Sequence, residues 1–190
     1  MQIDLCNKLV DNNLTRDELL EKVVIKKTTK DDLEQICKTL AKAFDLSSEF
    51  EAFTQLTQSQ ALLDESIKLV DKETGDIYGL LMFCEFPIQM GSPIIMRERS
   101  LAEYLNNFVQ VNGHSFIIDE RLRGTHLDKK MLFYNIEFLS NNYDFIWIGI
   151  EESLHTESYW ERLGFVKVFE IEEAKFYLAP LSKKMISEYL

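Results

Sequence analysis

Hydrophobic and polar positions change period several times along this chain, and each change marks an element. Val23-Val-Ile25 is a short β-branched run, read as a first strand. Leu33, Ile36, Cys37, Leu40 and Phe44 then recur at the spacing of one helix face, behind Thr28 and Thr29, either of which can cap that helix. A further short helix is expected around Glu49 to Thr57. Ser66 to Val70 and Ile77 to Phe86 are strand-like runs flanking Lys72-Glu-Thr-Gly-Asp76, the form of a hairpin. Ser115 to Asp119 is again apolar and branched, and after a charged turn Leu127, Met131, Tyr134 and Phe138 take up the helical period. Phe145 to Ile150 has the composition of a buried strand. Thr156 to Gly164 is expected as a short helix with Trp160 and Leu163 inward and Gly164 as its stop, followed by closing strands over Phe165 to Phe169 and Ala174 to Leu178.

Two stretches depart from this rhythm. Residues 1–22 read as a helical extension, in which Thr15-Arg-Asp-Glu18 has the form of a capping box ahead of Leu19 and Leu20. Between hairpin and central strand, Pro87 to Gly113 is broken by two prolines and Gly91 before Ser100-Leu-Ala-Glu103 offers a cap for a helix carrying Leu101, Tyr104, Leu105 and Phe108. The expected organisation is therefore a single domain over 23–190, with an extension before it and an inserted helical segment near 87–113. A chain of 190 residues is long enough for one substantial core.

Composition narrows the classes. With 46% apolar and 28% charged residues the chain is an ordinary globular protein rather than a disordered one. Cys6, Cys37 and Cys84 lie far apart in apolar surroundings and fit neither a disulfide framework nor a zinc site, so buried free thiols are expected, and no metal. The start has an early Asp4 and no secretory pattern, and the longest apolar run, Ile77 to Cys84, is far too short to span a bilayer, so a cytoplasmic protein without a membrane partner is expected. The 32 acidic residues against 21 basic ones, net charge -11, argue against nucleic acid as a partner and suit a cationic amine.

Against that acidic background Arg121, Arg123, Lys129 and Lys130 crowd into ten residues. They fall where a strand, a turn and a helix start follow one another, an order that aims backbone N–H groups and the positive end of a helix dipole at one point, as a phosphate site does. Charge by itself is better served by a plain solvated connection.

The order of residues adds more. Ile118-Asp119, Arg123-Gly124, and Lys130-Met131-Leu132 resemble, without gaps, the acyl-CoA-binding segment of the GNAT N-acetyltransferases, in which a strand passes through Asp-Pro and an Arg-Gly-x-Gly-x-Gly/Ala loop into a helix opening Lys-Leu-Leu. His126 and Asp128 replace the two later glycines. Tyr159-Trp-Glu-Arg-Leu-Gly-Phe165 is similar to the family segment Phe-Tyr-Glu-Lys-Leu-Gly-Phe, in the right order and at a family-like distance. The resemblance covers roughly residues 23 to 180. It implies a mixed α/β (α+β) fold with a mostly antiparallel central sheet flanked by helices on both faces. It also implies acetyl-CoA as co-substrate, an amine of a small molecule or protein as acceptor, and a monomer or homodimer. Carried over by position, the cofactor contacts are Ile118, Arg123, Gly124, Thr125, His126, Leu127, Asp128, Lys129 and Trp160.

Direct attack on the thioester needs a neutral amine, hence a base, and a donor for the oxyanion. Glu85 interrupts an apolar strand near the acceptor region and is the candidate base, with burial expected to raise its pKa; His114 and Glu120 are secondary. The family tyrosine that protonates the thiolate has Trp160 in its column, with Tyr159 one place earlier as the candidate acid. His155 has no nameable partner. A non-catalytic GNAT-like module is the alternative, and an unrelated α/β protein binding another phosphate ligand at Arg121 to Lys130 a third.

Overall fold

The computed structural model describes residues 8–85, 103, 107–151, 156–171 and 174–181. In chain order the elements are helix α1 (Arg16–Lys22), strand β1 (Val23–Lys27), helices α2 (Leu33–Ala43) and α3 (Glu49–Gln58), strands β2 (Ile67–Asp71), β3 (Ile77–Glu85) and β4 (Gln110–Ile118), helix α4 (Leu127–Leu139), strand β5 (Phe145–Glu151), helix α5 (Glu157–Arg162), and strands β6 (Val166–Ile171) and β7 (Ala174–Pro180). The strands form one sheet in the order β1-β2-β3-β4-β5-β7-β6, in which β4 and β5 run parallel and the other neighbours antiparallel.

Helices cover both faces, because β3 and β4 are buried on both. Ile77, Leu80, Met82 and Ile117 pack under α2 and α3 with Ile36, Leu40 and Leu56. Tyr78, Leu81, Phe83 and Phe116 pack on the other side with Met131, Leu132 and Ile136 of α4, Leu19 of α1 and Trp160 of α5. Gly79 lets α4 sit close to the sheet: a Cβ there would lie 3.4 Å from the Met131 sulfur and 3.2 Å from the Ile117 carbonyl oxygen.

Local sequence signals set the helix starts. Thr15 and Glu18 close the expected capping box at α1, and Ser48 caps α3 through Glu51 N–H. Thr29 and Asp32 cap a short 3-10 turn that runs into α2, so the cap expected for that helix acts one turn early.

Three boundaries differ from the sequence reading. Residues 8–15 are not helical, leaving α1 as the helical part of the described extension. The central strand begins at Gln110, five residues before Ser115, because its first half alternates polar and small residues that no apolar run reveals. On α4 the buried face is Met131, Leu132, Asn135, Ile136 and Leu139, while Tyr134 of the expected stripe is 52% exposed. Most of the expected helical segment near 87–113 lies outside the described residues, as do Cys6 and His155; Cys37 and Cys84 are buried free thiols.

Candidate active site

The parallel pair at the centre of the sheet is short. β4 and β5 are paired only from Gln110 opposite Phe145 to Gly113 opposite Ile148, yet both strands continue, β4 to Ile118 against β3 and β5 to Glu151 against β7. Beyond Gly113 and Ile148 a wedge separates the two halves of the sheet. The β3 ladder slips at the same place: Met82 faces Ser115 and Phe83 faces Gly113, which leaves His114 without a partner. His114 thus stands outside both ladders, a bulge at the apex of the wedge. Its Nδ1 lies 2.8 Å from Ser115 Oγ, and burial lowers its pKa to about 4, so the imidazole is neutral at pH 7. The sequence reading placed this residue ahead of the strand; it lies within it.

At the far end of β4 the chain turns sharply. Asp119 is fully buried and receives Leu9 N–H at 2.8 Å and the Arg121 guanidinium at 2.8 and 2.9 Å. Burial alone would raise the Asp119 pKa, but these donors outweigh it and hold the carboxyl below the usual range. Arg121 also donates to Asn12 Oδ1 and the Val10 carbonyl, and it lies over the Tyr78 ring. Of the four cations gathered here by the sequence, Arg121 is therefore committed to binding residues 9–14 to the loop. Arg16 of α1 adds a hydrogen bond to the Arg123 carbonyl at 2.9 Å. Sequence reasoning missed this strap, since residues 9–16 carry no motif that points to position 121.

The loop itself keeps a backbone that its residues do not advertise. Gly124 has φ +68, and His126, in a column where the family has glycine, adopts φ 63 and ψ 9. The left-handed turn is retained with a histidine in it, one of the better-tolerated non-glycine types there. Thr125 Oγ donates to the Leu122 carbonyl at 2.5 Å and pins the turn. Among the described residues no backbone N–H from His126 to Lys129 finds a backbone acceptor, no side chain caps α4, and Lys130 N–H is the first to join, at 3.0 Å from the His126 carbonyl. A row of amides is thereby left pointing out of the helix start.

Trp160 of α5 closes the wedge from the side. It is 1% exposed, with its ring centroid 6.0 Å from Phe116, 5.2 Å from Phe165 and 5.2 Å from Tyr159. Asp128 does not cap α4; its carboxylate lies by the Tyr159 hydroxyl, without closing a hydrogen bond of ordinary geometry. Burial and then that carboxylate push the Tyr159 phenol well above its usual value. Glu85 is elsewhere. It is exposed at the end of β3, opposite Val111 at the start of β4, about 23 Å along that strand from Ile118 at the loop. Glu85 and Tyr159 are not brought together. Ile118 is half-buried against the core, and Leu127, Lys129 and Glu120 follow on the partly or fully exposed surface of the turn and first helical turn.

Several buried polar atoms here lack partners among the described residues: Arg123 Nε and Nη2, Trp160 Nε1, Tyr159 OH and Thr156 Oγ. The arginine and indole nitrogens can only donate. With the unpaired loop amides they make a donor-rich surround, and a ligand carrying phosphate and carbonyl oxygens, such as CoA, fits it; the Asp128 carboxylate, turned toward Tyr159, has the opposite preference.

An open mixed sheet of this order, splayed between its parallel pair and with an amide-lined turn at the mouth, is the GNAT fold. Solved structures of that fold superpose on most of the chain. YhbS of Escherichia coli, a GNAT family N-acetyltransferase solved in complex with CoA, matches with a TM-score of 0.57 and 18% identity over 87% of this chain and 84% of that one. PH1933 from Pyrococcus horikoshii matches with a TM-score of 0.60 and 16% identity over 84% and 98% of the two chains. FeeM, an N-acyl amino acid synthase from uncultured soil microbes, gives 0.59 and 15% over 85% and 92%. No family model and no curated protein matches the sequence.

Proposed function

We propose that the chain is an acyl-CoA-dependent N-acyltransferase that moves acetyl from acetyl-CoA to a primary amine of a small molecule or protein by direct attack. The wedge carries this reading: a gap between parallel strands with an unpaired bulge at its apex and free helix-start amides at its mouth. The CoA complex of YhbS, whose fold this chain shares, supports it.

Bound acyl-CoA supplies a thioester carbonyl for the amine to attack and a thiolate to leave. The amides from Gly124 to Lys129, with the Arg123 guanidinium, hold its diphosphate. Ile118 and Trp160 flank the chain that follows, and Trp160 Nε1 donates to one of its carbonyl oxygens. The His114 peptide N–H, outside both ladders, donates to the oxyanion. Neutral His114, at the apex, is better placed than exposed Glu85 to accept a hydrogen bond from the attacking amine or its water and so orient it, the amine proton passing through water to solvent, and Glu85 serves a substrate reaching the start of β4. Tyr159, held protonated by burial and Asp128, keeps its proton, and the thiolate leaves unassisted, a thiol being acidic enough to make that tolerable.

A second reading, a GNAT-fold binding module without turnover, is favoured by one observation: Trp160, which has no acidic proton, fills the column of the family acid. Isothermal titration with acetyl-CoA, followed by a CoA-release assay over an amine panel, separates the two. Micromolar binding with release is the expected result. Binding without release supports the module, and no heat at high micromolar acetyl-CoA contradicts both.

A further inference from the structure

We propose that the groove between α4 and β1, on the side of α4 away from the wedge, is a second ligand site that takes a purine nucleotide. The groove is open to solvent and offers about 900 Å³, within the range of small-molecule sites. Its lining is ordered along the helix. At one end stand His126, Lys129 and Lys130, all exposed, none with a carboxylate partner among the described residues. In the middle Phe133, Tyr134 and Phe138 form an aromatic wall over Ile25 of β1, with Lys27 Nζ 2.9 Å from the Phe138 ring centroid. At the other end come Glu137 and Asn141.

This order suits one chemistry. In a chain of net charge -11, a cluster of unpaired cations attracts an anion, and lysines beside a histidine take phosphate. A flat base stacks on exposed aromatic rings, and Tyr134, 52% exposed between the exposed Lys130 and Glu137, presents such a ring. Glu137 follows Lys130 by seven residues, about 10 Å of helix, which is the span from a nucleotide's phosphate to the far edge of its base. A carboxylate there accepts hydrogen bonds from the amino group of a purine, and it would repel a second phosphate. The direction is therefore fixed: phosphate toward Lys129 and Lys130, base edge toward Glu137 and Asn141. The inference does not depend on the wedge holding CoA.

The test is isothermal titration of the full chain with GMP, AMP and inorganic phosphate, with and without saturating CoA. A nucleotide should bind one to one, inorganic phosphate at least about tenfold more weakly because it lacks a base to stack. Added CoA should change nucleotide affinity by no more than a few-fold. Tyr134→Ala and Lys27→Glu, both outside the wedge, should each weaken nucleotide binding about tenfold and leave CoA affinity within about twofold, with far-UV dichroism confirming the fold. Absence of nucleotide heat to millimolar concentration overturns the proposal. So does stoichiometric displacement of the nucleotide by CoA, or an unchanged affinity in Tyr134→Ala, which would mean attraction to charge alone. If CoA fails to bind while the nucleotide does, the acyltransferase reading falls and the groove stands.

Discussion

At position 126 a histidine holds a backbone conformation that costs a side chain about 1 kcal/mol and costs glycine nothing. His126→Gly is therefore expected to leave stability unchanged or raise it by up to about 1 kcal/mol, and His126→Val, branched at Cβ, to lower it by about 2 kcal/mol, both measured by urea unfolding. A glycine variant markedly less stable than wild type would show that the imidazole does structural work not seen here. The substitution of the family glycine was legible in the sequence; the retained turn was not, because periodicity says nothing about a single dihedral angle. Arg121 shows the same limit. Its charge suggested a ligand, whereas its fork is spent on Asp119 and on the carbonyls of a segment more than a hundred residues away.

Among the elements, α4 explains most of what sequence could and could not deliver. Its start followed from the change of period after Asp119, but its buried face did not. The helix carries apolar side chains on two sides, one against the sheet through Met131, Ile136 and Leu139 and one along the groove through Phe133, Tyr134 and Phe138, so spacing alone could not choose between them. Its seating depends on Gly79, where an added methyl would press within 3.2 Å of the Ile117 carbonyl and 3.3 Å of Leu69 Cβ. Gly79→Ala is expected to cost about 1–3 kcal/mol in thermal or urea unfolding and to weaken CoA binding by moving the start of α4. An unchanged midpoint would mean that the helix can yield without loss. The bulge at His114 and the early start of β4 stayed hidden because polar and small residues there break the apolar run that marks a strand.

For the whole molecule, charge ties stability to pH in a definite direction. His114 titrates at about 4 when folded and near 6.5 when unfolded, so on acidification the unfolded chain takes up its proton first, and stability falls from about pH 6.5 down to about pH 4. Asp119, whose folded pKa is lowered, adds stability that is complete above the unfolded value near 3.9 and disappears as pH falls through its lower folded value. Urea unfolding at pH 7, 5.5 and 4 should therefore show a decline in wild type that His114→Asn reduces; parallel declines in the two proteins would remove His114 as the cause. The sheet, its covering helices and the two family-like segments were legible in the sequence because they rest on hydrophobic period and on contiguous residues. The strap, the wedge and the groove were not, since each joins positions far apart in the chain.

The central claim is that the amides opening α4 and the bulge at the wedge apex face the same bound acyl-CoA. Backbone amide spectra of the labelled protein, recorded during titration with CoA, test it most directly. The account predicts saturable shifts concentrated at Gly124 to Lys129 and extending along β4 to His114; shifts that are absent there, or confined to surfaces away from the wedge, would contradict it.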